Sequence, residues 1–361
     1  MKKLYFLGAA ANYSRKQRVA HTFCIGRQSD VDDLKDYLTK RYDGSRTIVT
    51  KNGRSALCLA LRANFEKGDR IIINGFTCYA VYEAVCAAGM EPVFVDINKE
   101  TLNFDLDTLK DVETDGIIIQ NTLGNMVDIE AIEKWAEKND VKIIEDLAHC
   151  AGLKYADGRE VGTVGVATAL SFGKDKSIDT ISGGAVIFRG KTPKFADPRM
   201  NPRFADKFRE RFYPVFGAMS RGLTRIHLGG VFIKFLVLTH QVQRSADNKL
   251  EMGRKISKFE ARLALKQLQE LDDEGPIREF FLVKNREELL AKLREAGYYF
   301  DGFWYEKPVS PARYYEKVGF PEADYPVAVE VAEKIINVPT FYTEEQLAPA
   351  LKIINKYVEK D

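Results

Sequence analysis

Cysteine is scarce: the five residues Cys24, Cys58, Cys78, Cys86 and Cys150 are odd in number and form no Cys-x-x-Cys pair. A disulfide framework is therefore not expected, and a chain of 361 residues buries enough core to fold without one. A reducing, cytoplasmic setting fits this usage best. An excess of one charge is also missing. Lys and Arg total 54 against 52 Asp and Glu, so a net charge of +2 gives no reason to expect nucleic acid as a partner. Long hydrophobic runs are absent too. The longest apolar stretch, Ile226 to Leu238, is too short to span a bilayer and is interrupted by Lys234. It reads as a buried helix or a membrane-surface patch. The opening MKKLYFLGAA has two lysines and a short apolar run that gives way quickly to polar and basic residues, so a cleaved leader is not expected. No internal repeat and no metal-ligating cluster stands out.

What is present is a regular alternation. Strand-like runs occur at 47–50, in KGDRIIIN, at 92–97, 116–120 and 141–145, and in ATALSFG and GGAVIFR. Helical patterns lie between several of them, at 30–40, in KNGRSALCLALRANF, at 76–88 and at 128–138. This order predicts an α/β domain with a mostly parallel sheet. Runs such as IIIN and GIIIQ show no polar alternation, as strands covered on both faces do not. The expected organisation is a large domain over 1–190, a connecting segment over 191–249 and a smaller α+β domain over 250–361. Residues 189–225 hold ten basic and three acidic residues, with Pro193, Pro198 and Pro202 early in the run. A solvated face is the plainer reading of that charge. In the last region KFEARLALKQLQELD reads as a helix, YPVAV and IINVP as strands, and 344–358 as a helix.

Four local features carry chemistry. The loop SFGKDKSIDTISGG, residues 171–184, lies between two apolar strands and holds two lysines. A lysine there can bond an aldehyde that a cofactor supplies, and Ser171 with the loop amides can hold a phosphate. Taken alone, such a loop is more often a surface turn. Asp146 ends a buried strand, where open parallel sheets gather their functional groups. A buried carboxylate there calls for a cation, which a pyridinium nitrogen would provide. The alternative is a turn cap or an arginine partner. His149 lies three residues on and is equally consistent with a core role. The turn NGRSAL, residues 52–57, feeds a helix N-terminus and makes a phosphate cradle to which Arg54 and Ser55 add donors. Cys78 and Tyr79 follow Phe76-Thr77, where an aromatic side chain can stack on a flat ring. A packed core aromatic is the commoner use.

The order of these features, together with the stretches DRIIINGFTCYAVYEAV, GMEPVFVDI, VKIIEDLAHCAG and GREVGTVG, resembles the DegT/DnrJ/EryC1/StrS sugar aminotransferases, within fold type I of the pyridoxal-phosphate (PLP) enzymes. The resemblance is best over 47–190. It implies that PLP is the cofactor, that Lys176 rather than Lys174 bonds its aldehyde, and that Asp146 pairs with the ring nitrogen. It places His149 near the ring face, and Ser171, Arg54 and Ser55 at the phosphate. It further implies a homodimer, glutamate as amino donor and a nucleotide-linked keto sugar as acceptor, in pathways such as polysaccharide biosynthesis.

The chain departs from the family at several positions. Cys78 stands where an aromatic is usual and Tyr79 is one position late, so which of the two faces the ring stays open. Gly253 and Lys255 replace an asparagine and an arginine whose asparagine reaches the neighbouring subunit's phosphate. The segment 204–248 does not match, which leaves open a non-sugar or lipid-linked acceptor or a peripheral membrane contact, and the changes at Cys78, Gly253 and Lys255 leave open a noncatalytic scaffold. A related dehydratase activity goes with histidine at the lysine position, and Lys176 argues against it.

Overall fold

A computed structural model describes residues 4–8, 13–190, 193, 196–224, 226, 228–239, 249–271, 275–300 and 304–359. The chain enters through β1 (Tyr5–Phe6), α1 (Arg15–Phe23) and α2 (Gln28–Arg41). It then builds the large sheet region in order: β2 (Arg46–Thr50), α3 (Gly53–Asn64), β3 (Arg70–Asn74), β4 (Thr77–Cys78), α4 (Tyr79–Ala88), β5 (Glu91–Val95), β6 (Gly116–Ile119), α5 (Ile129–Lys138), β7 (Lys142–Asp146), β8 (Ala167–Ser171) and β9 (Gly184–Phe188). Seven of these strands form one sheet in the order β2-β9-β8-β7-β6-β3-β5. Every neighbouring pair is parallel except the two that involve β9.

The apolar strand runs are explained by cover on both faces. Ile72, Ile117, Ile119 and Ile143 point into a core shared with α2, α5 and the later helix α8. Ile71, Ile73, Ile118 and Ile144 point the other way, into a core shared with α3 and α4. Alternate residues of one strand thus serve opposite layers, so the middle of each run is apolar on both faces. The helix expected from Phe76 begins only at Tyr79, because Thr77 and Cys78 pair with a later strand.

After β9 come α6 (Phe204–Thr224), α7 (Gly229–Leu238) and α8 (Lys258–Gln269). Helix α8 buries Ala261, Ala264 and Leu268 in the core beside α2. This stretch therefore packs with the large sheet, although it was expected in the small domain from residue 250 onward. The remaining elements are β10 (Arg278–Leu282), α9 (Arg286–Ala296), β11 (Tyr298–Tyr299), β12 (Val309–Ser310), α10 (Ala312–Val318), α11 (Pro326–Lys334), β13 (Ile335–Pro339) and α12 (Glu344–Ile354). Strand β10 pairs antiparallel with β13, and β1 pairs parallel with β11, so the N-terminal strand joins this region rather than the large sheet. Leu7, Leu289, Leu293, Ile336, Val338 and Leu347 share its core.

YPVAV, expected as a strand, is the start of α11. Pro326 sits at the first helical position, where its fixed φ and missing N–H cost nothing. Ala328, Val331 and Ala332 form its buried stripe. The Asp96 carboxylate, from another part of the chain, accepts hydrogen bonds from the Val327 and Ala328 N–H groups at 3.0 and 2.9 Å. That cap is long-range, so the local pattern could not announce it.

Candidate active site

The C-terminal ends of β2, β6, β7 and β8 face one cavity, as the topology of an open parallel sheet directs. Six of the eight residues singled out from sequence line it: Arg54, Cys78, Asp146, His149, Ser171 and Lys176. Ser55 and Tyr79 do not. The Ser55 hydroxyl is fully buried and accepts the Glu251 N–H at 2.9 Å, while its own N–H donates to Asn52 Oδ1. Tyr79 turns away and stacks on Tyr314, with ring centroids 4.4 Å apart and planes 8° apart. Position 78 faces the cavity and position 79 does not, because the helix begins between them.

One end of the cavity is built to hold an anion. Asn52 caps α3, leaving the N–H groups of its first turn at the cavity. A Cβ at Gly53 would lie 2.6 Å from the Ser171 Cβ and 2.8 Å from its Oγ. Only glycine lets the serine hydroxyl reach that helix end. Arg54 adds a cation, ion-paired on its other side with Glu83.

Asp146 stands elsewhere in the lining. Its Oδ1 accepts the Ala148 N–H at 3.0 Å. Among the described residues no cation lies within ion-pair distance of it, and burial raises its pKa, with the Ala148 N–H and the charge of Lys176 opposing. A positive group in the cavity would find this carboxylate ready to pair.

Lys176 Nζ lies 3.0 Å from His149 Nε2. His149 Nδ1 accepts the Leu123 N–H at 3.1 Å, so that nitrogen carries no proton. Burial, and then the neighbouring Lys176 and Arg278, lower the His149 pKa, which favours the neutral ring with its proton on Nε2, facing the Lys176 amine. Burial of Lys176 lowers its pKa as well, against the pull of Cys78, Asp146 and Asp175. Burial thus shifts the amine toward its neutral, nucleophilic form.

Sequence reasoning missed three residues of the site. Trp304 stacks on His149 at 4.9 Å and lies 4.6 Å from Lys176 Nζ. Tyr305 lines the cavity beside it. Both come from beyond the large sheet, and nothing in their local sequence marks them. Gln120 follows β6 and donates to Thr122 Oγ1 at 2.8 Å while accepting from the Thr77 hydroxyl. Its place at a strand end was the available signal. Lys174 also lines the cavity, but its Nζ sits 4.1 Å over the Tyr213 ring.

Residues 26–197 match the DegT/DnrJ/EryC1/StrS aminotransferase family. Over this stretch, just under half of its length, the chain belongs to the family. It is 27% identical over 296 residues to a pleiotropic regulatory protein of Geobacillus stearothermophilus, covering 80% of this chain and 78% of the relative. It is 34% identical to the GDP-perosamine synthase of Escherichia coli O157:H7 over a shorter stretch, 40% of either chain. The fold is that of fold type I PLP-dependent transferases. A solved GDP-4-keto-6-deoxy-D-mannose-3-dehydratase of E. coli, with bound hydrated PLP, superposes with a TM-score of 0.64 at 16% identity, covering 98% of this chain and all of the other. The residues of the cavity fit PLP. A helix N-terminus with a serine hydroxyl suits its phosphate, a buried carboxylate without a cation among the described residues suits its ring nitrogen, and a buried lysine of lowered pKa suits its aldehyde.

Proposed function

We propose that this protein is a PLP-dependent aminotransferase that moves an amino group from glutamate to a nucleotide-linked keto sugar, acting as a homodimer in the cytoplasm. The observation that carries the reading is the buried amine of Lys176, held 3.0 Å from His149 Nε2 in the same cavity as Asp146. PLP, when bound, supplies an electrophilic aldehyde and a ring that takes up the electron pair released at a substrate's α-carbon. The chain does the rest. The N-terminus of α3, Ser171 and Arg54 hold the phosphate, and Asp146 keeps the ring nitrogen protonated. Lys176 would hold the cofactor at its aldehyde, and its amine, when free, would carry the proton taken from the donor's α-carbon. His149 orients that amine, and Trp304 and Tyr305 close the cavity against water.

The synthase among the relatives supports a nucleotide-sugar acceptor by its name. Lys176 in place of a histidine supports transfer over dehydration. A single-turnover assay tests this reading. Glutamate should release one equivalent of 2-oxoglutarate per site, and a panel of nucleoside-diphosphate keto sugars should then contain an acceptor that gains the nitrogen. Release of 2-oxoglutarate followed by transfer only to non-sugar ketones would reject the acceptor, and a deoxygenated product without nitrogen would reject transfer.

A further inference from the structure

Helix α7 is an unusual surface element. Its sequence, GGVFIKFLVL, has one charge, yet only Gly229 and Leu236 are buried. Val231, Phe235 and Leu238 are 64%, 57% and 78% exposed, and Ile226 and Leu228 just before the helix are 60% and 49% exposed. The helix is firmly seated: a Cβ at Gly229 would lie 2.7 Å from the Ser220 carbonyl oxygen of α6 and 2.1 Å from the Thr224 hydroxyl. The small edge of α7 is therefore pressed onto α6 and its large apolar side chains face out. A patch of this kind on a soluble protein marks a contact surface.

We propose that the α6–α7 hairpin docks the protein on the surface of an anionic lipid bilayer. Three observations select that occupant. First, charge complementarity: the exposed charges beside this face, Lys234 on α7 and Arg15 and Lys16 on α1, are all basic. Helix α1, which packs against α6, exposes Val19 and Phe23, and no acidic residue precedes Asp30. Second, Lys234 lies within the exposed apolar face, three residues after Val231 and four before Leu238. Seated against α7 of a second copy it would meet no carboxylate, since that helix carries none. At a bilayer the lysine stem lies along the apolar layer while the ammonium reaches headgroup phosphates. Third, length: α7 has ten residues, roughly 15 Å at helical rise, about half of a hydrocarbon core. No helix among the described residues is long and apolar enough to cross a membrane. The hairpin lies on a bilayer rather than through it.

The docked element is joined to the reaction site. Helix α6 lines, through Asp206, Glu210 and Tyr213, a polar cavity that shares Asn52, Lys174 and Ser182 with the cofactor cavity.

The test is flotation of the full-length, PLP-loaded protein with vesicles of phosphatidylcholine alone or mixed with phosphatidylglycerol. Binding to the anionic vesicles at low salt should exceed binding to the neutral ones by roughly tenfold or more, and should fall as salt is raised. The double variant V231D/F235D should lose that binding while retaining PLP uptake. Because a variant may misfold, hydrogen exchange on the unaltered protein supplies a second reading: residues 229–238 should gain protection when anionic vesicles are added. Absence of flotation and of protection would overturn the proposal. So would binding indifferent to phosphatidylglycerol and salt, or an oligomer without vesicles that V231D/F235D dissociates, which would give this face to a second copy of the chain.

Discussion

At the scale of single residues, the setting of Lys176 depends on a hydrogen bond that it does not itself make. The Leu123 N–H is donated to His149 Nδ1, which leaves Nε2 facing the Lys176 amine, and burial lowers the pKa of both groups. The loop also carries a strained charge. Burial, with Asp179 nearby, pushes the Asp175 carboxyl up to about 7. A pKa raised in the folded state contributes stability that is present below the unfolded value and is lost as pH rises through the folded one. Asp175→Asn removes that loss. It should be stabilising near pH 8 and near neutral around pH 4. Urea unfolding at the two pH values measures this, and an effect equal at both would contradict it. Asn also tolerates the backbone there, where φ is 59°. The orientation of positions 78 and 79 makes a second expectation. Tyr79→Ala should leave the absorbance of bound PLP unchanged and cost only the stacking on Tyr314, whereas Cys78→Phe should shift that absorbance. The reverse pattern would place Tyr79 at the ring.

At the scale of elements, the cradle depends on one cap. Asn52 accepts the Ser55 N–H at 2.9 Å and donates to the Lys249 carbonyl at 3.0 Å. Asn52→Ala should destabilise the protein by about 1 kcal/mol, the ordinary worth of an N-cap. It should also weaken PLP binding, because the first turn of α3 is no longer held at the cavity; titration of the apoenzyme reads the change. Much at this scale was legible in the sequence. The strands IIIN and GIIIQ read as doubly covered because they are, and Asn52-Gly53 read as a turn into a helix because capping is local chemistry. YPVAV misled, since alternation over five residues also fits the first turn of a helix, and the cap that decides it comes from Asp96.

At the scale of the whole molecule, legibility divides along the same line. The order of phosphate turn, strand-end acid and lysine loop follows the chain along one sheet, so the sequence displays it in order. Trp304 and Tyr305 reach the cavity from a region whose packing closes over the sheet, and β1 reaches that region from the opposite end of the chain. Such placements depend on tertiary contacts that no local periodicity encodes. The hairpin α6–α7 was legible as basic and then apolar, but whether its apolar side was buried could be seen only once α7 was placed on α6.

The central claim is that Lys176 is the residue that bonds the cofactor. The most direct test is to load the protein with PLP, reduce it with borohydride and map the modified peptide by mass spectrometry, with Lys176→Ala and Lys174→Ala beside it. Modification at Lys176 in the unaltered protein and in Lys174→Ala, with loss of the lysine-bonded absorbance band in Lys176→Ala, is the predicted result. Modification at Lys174, or an unchanged band in Lys176→Ala, would contradict it.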